Sequence, residues 1–493
     1  MKLSIIRLLI FLFIAVSLST GLANEHAEKI DDLMQTYFNN GQFNGSILVS
    51  EGGKVIYKKG FGLADMEWQI PNTADTKFRL ASITKQFTAT LIMQLVEEGK
   101  ITLDGKLNDF LPYYRKDTGD RVTIHHLLTH TSGIPNFTSQ PEYGSQVMRT
   151  TLSPESLVVK YCMGDLEFEP GTQSRYSNSA YNILGAIIEY VTGKTYEQVL
   201  QERIFGPLKM DDSGYDHSRT LLSKRAAGYE KSFDGYSNAS FLDMSVPYSA
   251  GALYSTVEDL YLWDRGLYTD QILTQVSLEK MFTADLEHYG YGWGIYYIPV
   301  GGDSVKAVAH SGGINGFNSR IMRILADQHL IVVLTNAPGA PLPQLVLKIA
   351  AILYDQSYEL PKKYASDEIA RVLMAEGTHA AETRFTQIKQ EESASYEFSE
   401  GQFNQLGYAL IAAGKLPEAI AVFKMNVENN PGSANVYDSL AEAYMISGQI
   451  DHAIRNYEKA LQMLDKDPNI SDAFRQRLRE GAKNNLEKLK GSK

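Results

Sequence analysis

Strand-forming runs lie at both ends of one long stretch of this chain, with helical patterns and loops between them. Gly45 to Val49 and Lys54 to Lys58, either side of a Glu51-Gly52-Gly53 turn, read as a β-hairpin. Far downstream, Lys306 to Ala309, Asn318 to Leu325 and Leu330 to Thr335 are further strand runs, the last two separated by Ala326-Asp327-Gln328-His329. A short helix is expected around Glu28 to Phe38 and an apolar helix over Leu342 to Leu353. This distribution predicts one antiparallel sheet assembled from distant segments, with a helical insert, and hence an α+β fold class.

At 493 residues with 44% hydrophobic content, the chain can bury a large core and should divide into roughly two or three domains. Residues 1–23 place Lys2 and Arg7 before an apolar run from Leu8 to Leu18 and end in Gly21-Leu22-Ala23, the layout of a cleavable signal peptide. The expected mature start is Asn24, in a periplasmic or secreted protein. No cysteine follows to take a lipid, and no later apolar stretch is long enough to span a bilayer. Cys162 is the only cysteine, so neither an intrachain disulfide nor a cysteine metal cluster can form. The formal charge of -11 becomes -13 once Lys2 and Arg7 are removed, which argues against nucleic acid or anionic lipid as a principal partner.

The pattern changes beyond the first region, 24–356. Residues 355–367 hold Pro361, lysines and little apolar content and read as a linker. Phe403, Leu406, Gly414, Ala419 and Phe423 are then followed at constant offset by Tyr437, Leu440, Gly448, Ala453 and Tyr457, and 448 - 414 = 34, the tetratricopeptide period. Ala381 and Phe385 mark a degenerate earlier unit, giving 357–395 as linker plus degenerate repeat. Residues 396–493 hold the repeats and a charged capping helix over Phe474 to Leu489. Such an array offers a surface for a protein partner or for self-association.

Chemistry enters at Ala81-Ser82-Ile83-Thr84-Lys85. Ile83, Phe87, Ile92, Leu95 and Val96 recur at near-helical spacing and Gly99 stands where a left-handed cap would fall, so Ser82 and Lys85 share one face at a helix entrance. Ser82 reads either as an N-cap or as a nucleophile. A capping box would carry Glu or Gln where Lys85 stands, and a cation is disfavoured at a helix N-terminus, which would lower the lysine pKa and leave free amine to take the serine proton. A second copy of the spacing, Ser277-Leu278-Glu279-Lys280, has no long apolar helix after it and reads as a solvated surface turn.

A proton relay and oxyanion donors are still required. Tyr37-Phe38-Asn39 falls in the first helix and Tyr236-Ser237-Asn238 in a polar loop. Tyr176-Ser177-Asn178 follows a Pro170-Gly171 turn and precedes a helix bearing Tyr181, Leu184, Ile187, Ile188 and Val191. It reads either as a helix cap at Asn178 or Ser179 with a buried tyrosine, or as an active-site element. His310-Ser311-Gly312 ends a strand, and Gly312 with Gly313 permits close backbone approach. His288-Tyr289-Gly290 reads as packing or loop. His125, His126 and His130 fit no zinc spacing and read as loop packing.

These three elements, in this order, resemble the serine β-lactamase and penicillin-binding-protein superfamily, most closely its class C β-lactamase, DD-peptidase and esterase branch. Ile124 to Pro135, Pro170-Gly171, Tyr176 to Tyr181 and His310 to Phe317 are similar to the family's usual segments, and the resemblance runs from about Asn44 to Leu353. It implies a sheet flanked by helices with an all-helical subdomain bordering the cleft. It further implies Ser82 as acylated nucleophile, Lys85 as proton acceptor or as the cation that keeps Tyr176 acidic, and Tyr176 as general base or relay. Asn178, His310, Ser311 and Gly312 would bind substrate, and the backbone N–H groups of Ser82 and Gly313 would form the oxyanion hole. No metal or other cofactor is implied. His310 stands where many β-lactamases carry lysine, and a neutral histidine supplies no permanent charge for a substrate carboxylate. The expected activity is an acyl-enzyme hydrolase acting on a small ester, amide or D-amino-acid peptide, with weak β-lactamase action at most. The alternative is an inactive adaptor binding through its repeats, and the joint presence of Ser82, Lys85, Tyr176 and Asn178 favours catalysis. Loops 136–144 and 233–248 are the expected cleft walls.

Overall fold

The computed structural model describes residues 24–337, 339, 341–467 and 470–491, so the segment read as a signal peptide lies outside the described residues. The chain divides into two compact units, one of residues 1–230 and 238–360, the other of Lys231–Ser237 and Pro361–Lys493.

The first unit is built on a six-stranded antiparallel sheet. A helix over 24–39 (α1) precedes the hairpin Gly45–Glu51 (β1) and Lys54–Phe61 (β2). The helices Thr84–Glu97 (α2) and Asn178–Thr192 (α3) follow. The chain returns to the sheet through Gly294–Val300 (β3), Asp303–Ile314 (β4), Phe317–Ile324 (β5) and His329–Thr335 (β6), then closes with Leu342–Leu353 (α4). The strand order is β3-β4-β5-β6-β1-β2, and the distant halves join where Gly45 pairs with Thr335 and Ser50 with Leu330.

Successive strand residues point to opposite faces, and here both faces are covered. Ile47, Val49, Ala309, Met322, Ile331 and Val333 pack with Ile30, Leu33 and Met34 of α1 and Leu345, Val346 and Ile349 of α4. Their neighbours Leu48, Val308, Ile321, Val332 and Leu334 belong to the larger core that holds Phe87 and Ile92 of α2 and Leu184 and Ile187 of α3. Strands buried on both sides read as nearly continuous apolar runs, which is why β1 and β6 are plain in the sequence. β3 carries no clear strand pattern in the sequence: Tyr296 and Tyr297 are both exposed and Pro299 interrupts it, a pattern tolerated only at a sheet edge.

Tyr236-Ser237-Asn238 lies in a short strand, Gly235–Asn238, paired with Tyr229–Ser232, not in a loop. Ser277 lies in the helix Gln275–Met281, 8% exposed, with its hydroxyl donating to Glu97 Oε1 at 2.5 Å, so the solvated-turn reading is also corrected.

The second unit is helical. Ala365–Glu376 (α5) and Thr378–Glu391 (α6) form one antiparallel pair, beginning inside the stretch read as linker. Glu400–Ala412 (α7) with Leu416–Asn429 (α8), and Ala434–Ile446 (α9) with Ile450–Leu464 (α10), form the next two, followed by Asp472–Gly491 (α11). Positions related by the 34-residue offset behave alike. Phe423 and Tyr457 are fully buried, as are Ala419 and Ala453, while Gly414 and Gly448 turn left-handed at φ +75 and +76. No helix among the described residues is long and apolar enough to cross a membrane.

Candidate active site

Ser82 sits in a single 3-10 turn, Ala81–Ile83, that runs directly into α2. Ala81 before it has φ +49, a left-handed conformation that costs an alanine energy and turns the serine out of the core. Behind the turn, Gly312 of β4 packs so closely that a Cβ there would stand 2.1 Å from the Leu80 carbonyl oxygen and 3.1 Å from the Ala81 Cβ. Only glycine lets the strand approach the backbone of the serine turn this way. Ser319 fixes the same turn by donating to the Leu80 carbonyl at 2.7 Å.

Lys85, the second residue of α2, is fully buried, and among the described residues no carboxylate pairs with it. Its Nζ lies 3.0 Å from Ser82 Oγ, 2.8 Å from Asn178 Oδ1 and 2.8 Å from the Ala250 carbonyl oxygen. The rings of Tyr176 and Tyr181 lie 4.8 and 5.6 Å from it. Burial alone drives its pKa well below the ordinary lysine value. The lowered value expected from the helix N-terminus therefore has a different cause, desolvation by the core around α2 and α3. As a free amine, Nζ donates to the two obligate acceptors, Asn178 Oδ1 and Ala250 O, and its lone pair is left for the Ser82 proton.

Asn178 opens α3 and Ser177 caps it, its hydroxyl accepting the Ala180 N–H at 3.3 Å, so the cap is Ser177 and neither Asn178 nor Ser179. Asn136 holds Asn178 from the other side, Oδ1 accepting its backbone N–H at 3.1 Å and its Nδ2 at 3.3 Å. Tyr176 leaves 39% of its surface open, and its hydroxyl engages Ser82. Desolvation pushes the phenol upward, only partly opposed by that hydrogen bond, with the open surface screening some of the effect.

His310, expected along the substrate edge, is turned inward. Nδ1 lies 2.6 Å from the Ser311 carbonyl oxygen, which only accepts, so Nδ1 carries the proton and Nε2 accepts from the Tyr289 hydroxyl at 2.8 Å. Burial, aided by Lys85, pushes its pKa down to about 3, so the ring is neutral. Tyr289, expected to serve packing or a loop, orients His310, and nothing local in Gly/aromatic sequence signals a partner on a distant strand. Arg320 was missed altogether. It lies opposite Ser311 in the β4–β5 register and donates through Nη1 to Ser311 Oγ at 2.6 Å, a permanent cation 8% exposed. Two arginines, Arg320 and Arg323, inside the strand run Asn318 to Leu325 are the available signal.

A cavity of about 300 Å³ opens over these groups, lined by Ser82, Phe137, Thr138, Tyr143 and Asn178 on one side and Gly313, Ile314 and Asn315 on the other. The 136–144 loop supplies a wall as expected, whereas 233–248 contributes only Pro247. The ladder between β3 and β4 ends at Ala309, and the strand-side lining begins at Gly313, beyond the His310-Ser311-Gly312 segment. His125 lies 2.8 Å from the Tyr291 hydroxyl, and His126 Nδ1 accepts the Thr123 N–H at 3.2 Å. Among the described residues no group of His, Cys, Asp and Glu gathers as metal ligands. Cys162 is buried, its thiol pushed up to about 12 by desolvation, and so is no nucleophile.

Residues 27–354 match the family described as Beta-lactamase. The chain is 29% identical over 361 residues to penicillin-binding protein 4* of Bacillus subtilis, covering 69% of this chain and 78% of that protein. Among solved structures it is similar to the octameric penicillin-binding protein homologue from Pyrococcus abyssi, with a TM-score of 0.58, 30% identity, and coverage of 70% of this chain and 81% of that one. It is also similar to a D-stereospecific amidohydrolase from Streptomyces sp., with a TM-score of 0.54, 28% identity, and coverage of 63% and 94%. The matched stretch contains the whole sheet and every side chain gathered about Lys85, and this chain belongs to the β-lactamase family.

Proposed function

We propose that this protein is an exported serine hydrolase that works through an acyl-enzyme on Ser82, acting on a small ester, amide or D-amino-acid peptide. The observation that carries this reading is Lys85, a fully buried amine with no carboxylate, 3.0 Å from a serine hydroxyl beneath an open cavity. Ser82 Oγ bonds to the acyl carbon as its proton passes to Lys85 Nζ, and the backbone N–H groups of Ser82 and Gly313 hold the oxyanion. Collapse breaks the bond to the leaving group, which takes a proton from the Tyr176 hydroxyl, replenished from Lys85. Water then attacks the acyl carbon by the same path in reverse. The opposed shifts support this division: an amine pushed down accepts at neutral pH, and a phenol pushed up stays protonated and donates. The penicillin-binding and D-stereospecific amidohydrolase names of the relatives agree with an acyl donor of this class. No cofactor, nucleic acid or membrane span enters the reaction.

The neutral His310 supports weak β-lactamase action at most, because the place that lysine takes in many β-lactamases holds no charge. A chromogenic cephalosporin should be turned over about 10²-fold less efficiently than the best ester, the equivalent of one charge-assisted contact. The experiment that decides the main reading is reaction with a fluorophosphonate and with labelled penicillin, followed by peptide mass spectrometry. The Ser82 peptide should carry the label in wild type and not in Ser82→Ala.

If folded protein leaves Ser82 unlabelled by every acyl donor, the adaptor reading takes over. The matching burial and turn geometry of α7–α8 and α9–α10 at a 34-residue offset supports tetratricopeptide-type repeats, suited to a protein partner or to self-association.

A further inference from the structure

His130 bears two costs that its own loop does not repay. Its backbone is left-handed, at φ +60, a conformation unusual for a histidine. Its ring is buried, at 2% exposure, and Nε2 has no hydrogen-bond partner among the described residues. The backbone N–H of Ser177 can only donate, and it points at His130 Nδ1 from 3.2 Å, so Nδ1 is the acceptor and the proton of the neutral ring sits on the orphaned Nε2. A buried polar atom left unsatisfied in a native protein calls for a reason, and strain of this kind collects at working sites.

The reason lies in what the rest of the residue holds. The His130 carbonyl accepts the Arg175 N–H at 2.9 Å, and Nδ1 accepts the Ser177 N–H. These N–H groups belong to the residues on either side of Tyr176. Between them the imidazole lies against the Tyr176 ring, centroids 4.3 Å apart, and it is backed by Tyr181 at 5.1 Å and Tyr289 at 4.7 Å. The left-handed backbone is what allows one residue to present both its carbonyl and its ring to the same short segment.

We infer that His130 is a positioning residue that clamps Tyr176 at three points, the N–H of the residue before it, the N–H of the residue after it and its ring face, so that the phenol meets Ser82. This rests on the proposed role of Tyr176 in proton transfer. His130 touches no substrate. Its neutral form is essential to the clamp, since a second proton on Nδ1 would set donor against donor at Ser177; burial, with Lys85 and His310 nearby, keeps that proton off.

The test separates the acceptor from the ring. His130→Phe keeps an aromatic face and loses Nδ1. His130→Asn loses the ring, but its Oδ1 occupies the same bonded position as Nδ1 and asparagine tolerates the left-handed backbone. With a neutral p-nitrophenyl ester, His130→Phe should lower kcat about 10²-fold, the cost of a slightly misplaced catalytic group, with KM within about twofold. His130→Asn should recover at least about tenfold of that loss. In a Tyr176→Phe background, where no phenol remains to be positioned, His130→Phe should cost less than about threefold. An equal cost in both backgrounds, or a folded His130→Asn no better than His130→Phe, overturns the inference. If His130→Phe does not fold, the same comparison run with His130→Asn decides it: the loss must shrink in the Tyr176→Phe background. Wild-type protein that hydrolyses nothing and leaves Ser82 unlabelled instead overturns the proposed function, a result visible before any His130 variant is made.

Discussion

The chain carries the same serine-to-lysine spacing twice, at Ser82 with Lys85 and at Ser277 with Lys280, and the surroundings make them different objects. Each serine is followed one helical turn later by its lysine. Lys85 is fully buried with Ser82, Asn178 and the Ala250 carbonyl as its polar neighbours, whereas Lys280 is exposed and the Ser277 hydroxyl donates to a carboxylate, Glu97, at 2.5 Å. A hydroxyl already committed to a carboxylate gains nothing from a solvated ammonium nearby. What turns spacing into a candidate nucleophile is the removal of water and counter-charge from the amine, which the helices α2 and α3 accomplish together.

The strongest way to break this comparison is to delete each hydroxyl. Ser82→Ala should lower ester turnover at least about 10⁴-fold, as loss of a covalent nucleophile does, while Ser277→Ala should stay within about twofold. Steady-state kcat for both variants settles it, and comparable losses would remove the distinction. Deleting the amines comes next. Lys85→Ala should cost about 10²- to 10⁴-fold in kcat, the range of a positioned general base, and Lys280→Ala nothing measurable. Partial rescue of Lys85→Ala by added alkylamine would sharpen the claim that a free amine is the working form.

The spacing itself was legible because Ser82 and Lys85 lie on one turn, and so was the placement of Tyr176 and Asn178 at a helix entrance. The sheet was legible because its inner strands are buried on both faces. The rest depends on register between segments far apart. Arg320 meets Ser311 only because β4 and β5 pair those two positions, and Tyr289 meets His310 only because the chain before β3 folds back over β4. His130 looked like loop packing since its strained backbone and orphaned nitrogen appear only in three dimensions. Even for Lys85 the sequence pointed to a low pKa for the wrong reason. The helix dipole is a local property and could be read; burial is a property of the assembled core and could not.

The amine's burial has a consequence for stability that Lys280 cannot share. With its native pKa lowered by burial, Lys85 binds its proton less in the folded chain than in the unfolded one, where 10.5 applies. Between that lowered value and 10.5 the unfolded state holds the extra proton, so stability rises with pH across the window, by up to about 1.4 kcal/mol per pH unit. Lys85→Met should flatten that slope by about 1 kcal/mol per unit in urea titrations run at successive pH values, other titrating groups cancelling between the two proteins. Lys280→Met should run parallel to wild type, and an unchanged slope in Lys85→Met would mean the amine stays charged in the fold.

The smallest effect expected is the structural counterpart at the second copy. The Ser277 hydroxyl donates to Glu97 Oε1, and so does that of Thr274, the residue that caps the helix Gln275–Met281. Desolvation raises the Glu97 carboxyl, and these hydrogen bonds outweigh it, leaving the pKa below its ordinary value. Because the native value is the lower one, the stabilisation is fully present above the ordinary carboxylate value and is lost as pH falls through the lowered native one. Ser277→Ala should therefore cost about 1 kcal/mol at pH 7, discounted for the open side of Glu97, and almost nothing at a pH below that lowered value. Urea midpoints at the two pH values measure this directly. A loss of that size with ester turnover intact would assign the second serine to holding helices together, and a loss of turnover would mean that the two copies are less different than their burial implies.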